Sequence, residues 1–389
     1  MKNVHFFSFL SLRVVFQAYD NNFHDSNREN NTNMVLKSQQ TDKDIKLRCL
    51  HLFFVISFAS AVAKARQTNV MNSPKVFVAG PSVPRAGLDL LVEKGVQLTK
   101  VENESKEDIL KKVKGVDALF WASHLKLDKD VLDSAGSQMK VIGTMSAGYN
   151  HIDLEELRKR GIKLGNTPNV LNDAVADVAV LLSLAASRRL HEGRLKIEND
   201  QWKSHSEWML GKDIVNSTVG IVGLGGIGQT IVRRLKGFDV KEFLYTGHRE
   251  KPEGKELGAK FVSLDTLTRE SDFVIMAVPL TNETEGMCNE DFFSKMKKTA
   301  VFVNISRGQV VDQPALIQAL RNETIFAAGL DVMTPEPLPS NHELLTLPNL
   351  VLLPHLGSAT RQTRDAMSLL TAQNILRGLG GEEMFTPVV

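Results

Sequence analysis

The chain reads as an α/β protein built from two doubly wound parallel-sheet domains. Three features carry that reading. From Lys75 onward short β-branched runs alternate with amphipathic segments, a glycine-rich turn joins a strand to a helix near the middle, and 389 residues are too many for one typical core.

Residues 1–73 stand apart from the rest. Asn, Ser and Gln are dense from Asp20 to Gln40, and a largely apolar run from Cys49 to Ala63 then follows Lys43, Lys46 and Arg48. A positive flank, a short apolar run and small residues are the parts of a secretory signal, whereas a membrane span needs about 20 apolar residues. Three readings stay open for this extension: a signal peptide, a disordered segment and an anchor. Met71 favours the second, because MNSPKVFVAG makes a natural start for a domain that opens on a strand.

In the next stretch KVFVAG, DALFWA, KVIGTMS and IKLGNTP, each bounded by Gly, Pro or Ser, read as four buried parallel strands. RAGLDLLVEKG and HIDLEELRKRG between them have helical spacing and end on glycine. NDAVADVAVLLSLAASRRLHEGRLKIEND then predicts one long helix after Pro168, capped by Asn172 or Asp173 and bridging into a second unit. Six strands are expected there, in STVGIV, EFLYTG, SDFVIMAVPL, AVFVNISRG, FAAGLDV and LVLLPHLGSA. TRQTRDAMSLLTAQNILRGLGG closes the chain as an amphipathic helix.

Charge and cysteine content remove several functions. The 47 basic and 45 acidic residues nearly balance and form no block of one sign, so no nucleic-acid partner is expected. Cys49 and Cys288 are too far apart for a disulfide framework or a metal cluster, and no metal is expected.

In VGLGGIG, Gly223, Gly225 and Gly228 form G-x-G-x-x-G between a strand and a helix. The first glycine permits a tight turn, the second lets backbone approach a pyrophosphate, and the third lets helix pack on strand. Amide groups at the helix start then hold the phosphates of a dinucleotide. The next strand ends at Gly247, nineteen residues after Gly228, where an acid would bind the ribose hydroxyls of NAD. Glycine there leaves room for a 2′-phosphate and Arg249 can pair with it, so NADP(H) is favoured over NAD(H). His248 is the other cation at that place; Arg249 is preferred because it is charged at every physiological pH. A cofactor kept inside cells also favours a cytoplasmic protein over a secreted one.

Downstream, Arg307 in NISRGQVV, Glu336 in DVMTPEPL and His355 in LLPHLGSAT each follow a predicted strand, where ligands of open α/β sheets gather. An arginine suits a substrate carboxylate and a histidine suits proton donation to a new alkoxide.

Taken together, TMSAGYNHIDL, STVGIVGLGGIG, FLYTG, NISRG, GLDVMTPEPLP and LPHLGSAT resemble the D-isomer-specific 2-hydroxyacid dehydrogenases, and within them the members that reduce glyoxylate and hydroxypyruvate. The resemblance covers about Lys75 to Glu383. It implies a Rossmann nucleotide-binding domain at 172–354 inserted in a flavodoxin-like substrate domain, whose first part is 74–171 and whose C-terminal return is 355–389. It implies NADPH-dependent reduction of glyoxylate and hydroxypyruvate, and a homodimer with no membrane partner. Arg307 would bind the substrate's carboxylate and keto oxygen, His355 would donate the proton, and Glu336 would orient His355. Ala147 and Gly148 would offer amides to the carboxylate. Gly226, Ile227, Ile305, Pro279 and Leu280 would line the cofactor, the last two on its adenosine side; Asp331 would meet the carboxamide, with Gly357 and Ser358 beside the nicotinamide. His205 and Trp208 would lie in a dimer arm.

Two departures stand out. Gly226 occupies a place where relatives often carry arginine, and Ala147 and Asn150 replace a more usual valine and aspartate. Phosphoglycerate and formate dehydrogenases, and a nucleotide-sensing corepressor on the same fold, remain as alternatives. Glu336 in place of glutamine speaks against the formate chemistry.

Overall fold

The computed structural model describes residues 73–389. The extension considered above lies outside the described residues, apart from Ser73.

The first sheet contains β1 (Lys75–Ala79), β2 (Gln97–Lys100), β3 (Ala118–Trp121), β4 (Val141–Thr144) and β5 (Lys163–Gly165), all parallel, in the order β2-β1-β3-β4-β5. This is the flavodoxin-like order. Phe77 opposite Leu119 and Val78 opposite Phe120 put apolar side chains on both faces, and helices cover both. Those helices are α1 (Arg85–Glu93), α2 (Lys106–Lys112), α3 (Lys129–Ala135) and α4 (Leu154–Arg160). Ser105, Asp128 and Asp153 cap the last three through side-chain bonds to backbone N–H groups.

A strand absent from the sequence reading is β2. Its residues QLTK are mostly exposed at the sheet edge, and backbone pairing with β1 rather than burial places them.

The single long helix expected after Pro168 is two helices, α5 (Asn172–Ser187) and α6 (Leu190–Glu198). Arg189 between them is left-handed, at φ 54°. The cause is tertiary: Lys212 N–H donates to Ser187 O at 2.9 Å, taking a carbonyl that a continuous helix would use itself. The expected cap is also corrected. Leu171 occupies the cap position without a side-chain bond, while Asp173 accepts from Arg234 at 2.7 Å and Asn172 turns toward the glycine turn.

The second sheet has seven parallel strands, one more than expected. They are β6 (Thr218–Val222), β7 (Glu242–Thr246), β8 (Ala259–Phe261), β9 (Phe273–Met276), β10 (Val301–Asn304), β11 (Ala327–Leu330) and β12 (Leu350–Leu352). Their order, β12-β11-β10-β9-β6-β7-β8, is that of a Rossmann sheet, with the switch between β6 and β9. The addition, β8, is again a short edge strand. Helices α7 (Gly226–Leu235), α8 (Pro252–Leu257), α9 (Leu264–Glu270), α10 (Glu290–Lys295) and α11 (Gln313–Arg321) connect the strands.

The last helix, α12 (Arg361–Leu379), returns to the first sheet and packs on α1 and β4. Gly87 N–H donates to Ser368 Oγ at 3.2 Å, and a Cβ on Gly87 would lie 2.1 Å from Ser368 O, so only glycine permits this approach. Val388 N–H then donates to Leu164 O at 2.7 Å, closing the chain end against β5. The nucleotide-type sheet is therefore an insertion between the parts of the first. Among the described residues no helix is long and apolar enough to cross a membrane, and no group of His, Cys, Asp or Glu is arranged to hold a metal ion.

Candidate active site

Two sets of strand ends supply the candidate residues. β6 delivers the glycine turn into α7. Gly223 has φ 99°, and a Cβ on it would lie 2.7 Å from Ala277 O. On Gly228 a Cβ would come within 2.2 Å of Gly223 O, so the third glycine lets the helix start sit on the turn. Gly225 differs: nothing lies within 4 Å of an added Cβ, which leaves a cradle open for a phosphate. Ile227 is half-buried in the first turn of α7.

At Gly226 a Cβ would lie 2.4 Å from Asn172 Nδ2 and 3.2 Å from Asn169 Oδ1. The side chains of Asn169 and Asn172, just before and at the start of α5, would have to move for a longer side chain here.

Gly247, His248 and Arg249 are exposed beyond β7, and the space around Gly247 is open. The loop is tied at its far end. Lys251 N–H donates to the buried Tyr245 hydroxyl at 2.8 Å, and Lys251 Nζ donates to Leu224 O of the glycine turn at 3.0 Å. Arg249 has no ion pair among the described residues. Across from this loop, Thr281's hydroxyl, the backbone and the charge of His248 hold Glu283 below the ordinary carboxyl range. The segment with Pro279 and Leu280 therefore flanks the same opening, its turn fixed by Thr284 Oγ1 donating to Pro279 O at 2.7 Å.

The second set centres on Arg307, just past β10 and the buried Ile305. Asn304 shapes this turn: its Oδ1 accepts from Ser306 N–H at 3.0 Å and its Nδ2 donates to Arg307 O at 2.9 Å. Gly308 allows close approach to the next strand end, since a Cβ there would lie 2.1 Å from Met333 O. Arg307 is half-buried, and desolvation of its guanidinium pushes its pKa below the usual range against the pull of Glu336. Its Nη1 donates to Ser306 O at 2.7 Å and its Nε to Asn150 Oδ1 at 3.2 Å, both neutral acceptors.

Ala147 and Gly148 lie against it. Ser146 Oγ donates to Gly148 O at 2.7 Å and Asn166 Nδ2 to Ala147 O at 2.8 Å, fixing both carbonyls. Their two N–H groups have no partner among the described residues. A Cβ on Gly148 would lie 2.3 Å from Arg307 Nη2. Unpaired amides and a cation beside them are the donor set that suits a small carboxylate.

His355 follows β12 in a left-handed conformation, at φ 54°. Its Nδ1 is 2.8 Å from Glu336 Oε2, so this nitrogen carries a proton and Nε2 is left for a ligand. Glu336 Oε1 accepts from Met333 N–H at 3.0 Å. Burial opposes ionisation of Glu336, but the bonds from His355 and Met333 outweigh it and hold the carboxyl below its ordinary range. Gln313 secures this segment by pairing with both backbone groups of Thr334, at 2.6 and 3.0 Å.

Asp331 accepts from Leu356 N–H at 2.7 Å and Gly357 N–H at 2.8 Å. Both oxygens are thus already bonded to the turn after His355. Ser358 is half-buried one residue further on.

The fold brings Arg307, Glu336, His355, Ala147 and Gly148 into one cleft. His205 is exposed and Trp208 half-buried on the segment after α6. Sequence reasoning missed Asn304 and Gln313, which act on backbone turns and leave no motif, and His124, whose ring faces His355 at 5.6 Å between centroids. It also gave His151 no role. Burial, with the charge of Arg307, lowers His151 to about 4 and keeps it neutral near the arginine.

The sequence profile of the D-isomer specific 2-hydroxyacid dehydrogenase NAD binding domain matches residues 180–357. The chain is 50% identical over 316 residues to a Mus musculus glyoxylate reductase/hydroxypyruvate reductase, covering 80% of this chain and 96% of that protein. It is 54% identical over 274 residues to a Homo sapiens protein of the same name, covering 70% and 84%. Among solved structures, the Sinorhizobium meliloti NADPH-dependent glyoxylate/hydroxypyruvate reductase in complex with NADP and malonate matches with TM-score 0.71 and 31% identity, over 82% of this chain and 97% of that one.

The contact at Gly148 sets a test of the carboxylate site. Gly148→Ala displaces the Arg307 guanidinium and should weaken equilibrium binding of oxalate about tenfold or more, with the urea unfolding midpoint nearly unchanged. Unaltered oxalate affinity would show that the Arg307–Gly148 contact does not shape the site.

Proposed function

Because the chain belongs to the D-isomer specific 2-hydroxyacid dehydrogenase family, we propose that it reduces glyoxylate and hydroxypyruvate, with NADPH as preferred cofactor, to glycolate and D-glycerate. One observation carries the reading: a histidine paired with a carboxylate faces the same cleft as an arginine without a carboxylate partner, beside an open dinucleotide-type turn. The names of the similar proteins support the substrates. The open space at Gly225 and Gly247 supports the cofactor.

The cofactor supplies the hydride; the chain's residues do the rest. Arg307 and the amides of Ala147 and Gly148 bind the substrate carboxylate and direct its keto carbon. His355 gives its Nε2 proton to the oxygen at C2 as that carbon is reduced. Glu336 holds the ring and stabilises its protonated form. Asp331, Ile305, Gly357 and Ser358 face the nicotinamide end, and Gly223, Gly225, Gly226, Ile227 and Gly228 the pyrophosphate. Pro279 and Leu280 flank the adenosine, with Arg249 on the 2′-phosphate. The substrate-binding parts are residues 74–171 and 355–389, the nucleotide-binding part 172–354, and closure between them excludes water.

The active unit is a homodimer. Leu190, Trp202 and Leu210, at 58%, 70% and 62% exposure, place large apolar side chains on α6 and the segment after it, as an unpaired interface would.

Steady-state rates for a panel of small 2-oxo acids with NADPH and NADH test the activity; no turnover of either named acid would refute it. In that assay His355→Gln should lower kcat about 100-fold or more, and a loss of only a few-fold would remove His355 from the proton step. Arg249→Ala should shift the NADPH-over-NADH ratio of kcat/KM toward NADH by about tenfold; an unmoved ratio would assign the 2′-phosphate to another residue. Light scattering should give twice the 43.1 kDa chain mass, and a monomeric mass would dispose of the dimer.

A further inference from the structure

His124 lies on the loop after β3, facing His355 from the first-sheet side of the cleft. The ring centroids are 5.6 Å apart and the planes are tilted by 48°. The loop is anchored from behind. Glu104 Oε1 accepts from Ser123 Oγ at 2.6 Å and from His124 N–H at 3.3 Å, and Ser123 Oγ accepts from Leu125 N–H at 3.1 Å. The backbone is fixed, yet the imidazole is exposed and has no hydrogen bond among the described residues.

Its surroundings keep it neutral. Partial desolvation of the otherwise exposed ring and the charge of His355 lower the imidazole's pKa, Arg307 adds to that, and Glu104 and Glu336 oppose it without prevailing. A neutral imidazole carries one donor and one acceptor. His124 has no carboxylate bonded to its ring, in contrast with His355 and its Glu336 partner, so it lacks the support that proton donation requires. Its unpaired ring nitrogens in a cleft otherwise built for a carboxylate and a carbonyl point to recognition.

With C1 on Arg307 and O2 on His355, the third carbon of a 2-oxo acid would need a wall near His355, and the ring the structure sets opposite His355 is that of His124. Resting on the reduction proposed above, we infer that His124 selects the substituent at C3. It hydrogen-bonds a C3 hydroxyl, favouring hydroxypyruvate over glyoxylate, which has no C3, and over pyruvate, whose methyl leaves the imidazole unpaired.

The experiment compares wild type, His124→Ala and His124→Asn on hydroxypyruvate, pyruvate and glyoxylate. His124→Ala should lower kcat/KM for hydroxypyruvate about tenfold, leave glyoxylate within about threefold, and erase the preference over pyruvate. His124→Asn, which keeps a donor and an acceptor, should recover part of the loss. A parallel fall on all three acids would make His124 a support for His355 and overturn the assignment, as would an unmoved hydroxypyruvate-to-glyoxylate ratio in an active enzyme. A wild type that reduces none of the three refutes the reductase reading itself and takes this assignment with it.

Discussion

Asp331 fastens the end of β11 to the turn that carries His355, and much of the site's geometry descends from that contact. Its carboxylate takes the N–H groups of Leu356 and Gly357, while its backbone carbonyl accepts from His355 N–H at 2.8 Å. Burial pushes the carboxyl's pKa up, against those two N–H bonds and the charge of His355. The arrangement holds His355 in the left-handed region, which costs a non-glycine residue about 1–3 kcal/mol and persists only where the surroundings over-determine it. Three hydrogen bonds at consecutive residues do so here. The same turn leads to Thr360, which caps α12, so the clamp also marks where the chain leaves the second sheet to complete the first.

The charges of the cleft are sorted by partner. Glu336 is bonded to His355, whereas among the described residues the half-buried Arg307 donates to the neutral amide oxygen of Asn150 and the carbonyl of Ser306 and to no carboxylate. A carboxylate at position 150 would compete with a bound anion for that cation, because in a low-dielectric site the first partner takes most of the available attraction. The departure at Asn150 is thus a way to orient the arginine without neutralising it. His151, neutral behind it, adds no competing charge.

Legibility in the sequence followed the range of the forces involved. The glycine turn was readable because its G-x-G-x-x-G spacing is local, with Gly223 and Gly228 held by close contacts, and Arg307, Glu336 and His355 stood out by their order after predicted strands together with the family resemblance. The edge strands β2 and β8 escaped, since unburied strands carry little apolar signature. The break after Ser187 escaped for a different reason: nothing in AASRRLHEG stops a helix, and the bond that ends it comes from Lys212. Asn304 and His124 were invisible because their meaning depends on which turn or ring stands opposite them.

Gly226 shows how a change within a motif can be two residues wide. Read alone, it is a lost phosphate contact. In the fold, Asn172 Nδ2 stands 2.4 Å from where its Cβ would be, and its bond to Asn169 is long, at 3.4 Å. A side chain at 226 would have to displace the Asn172 amide, so restoring an arginine to the turn would first turn that side chain away. The two positions lie on different helices, and the energetic effect of changing both will not be the sum of changing each. The surroundings of the glycine turn therefore include the start of α5, whose Asn172 sits against Gly226.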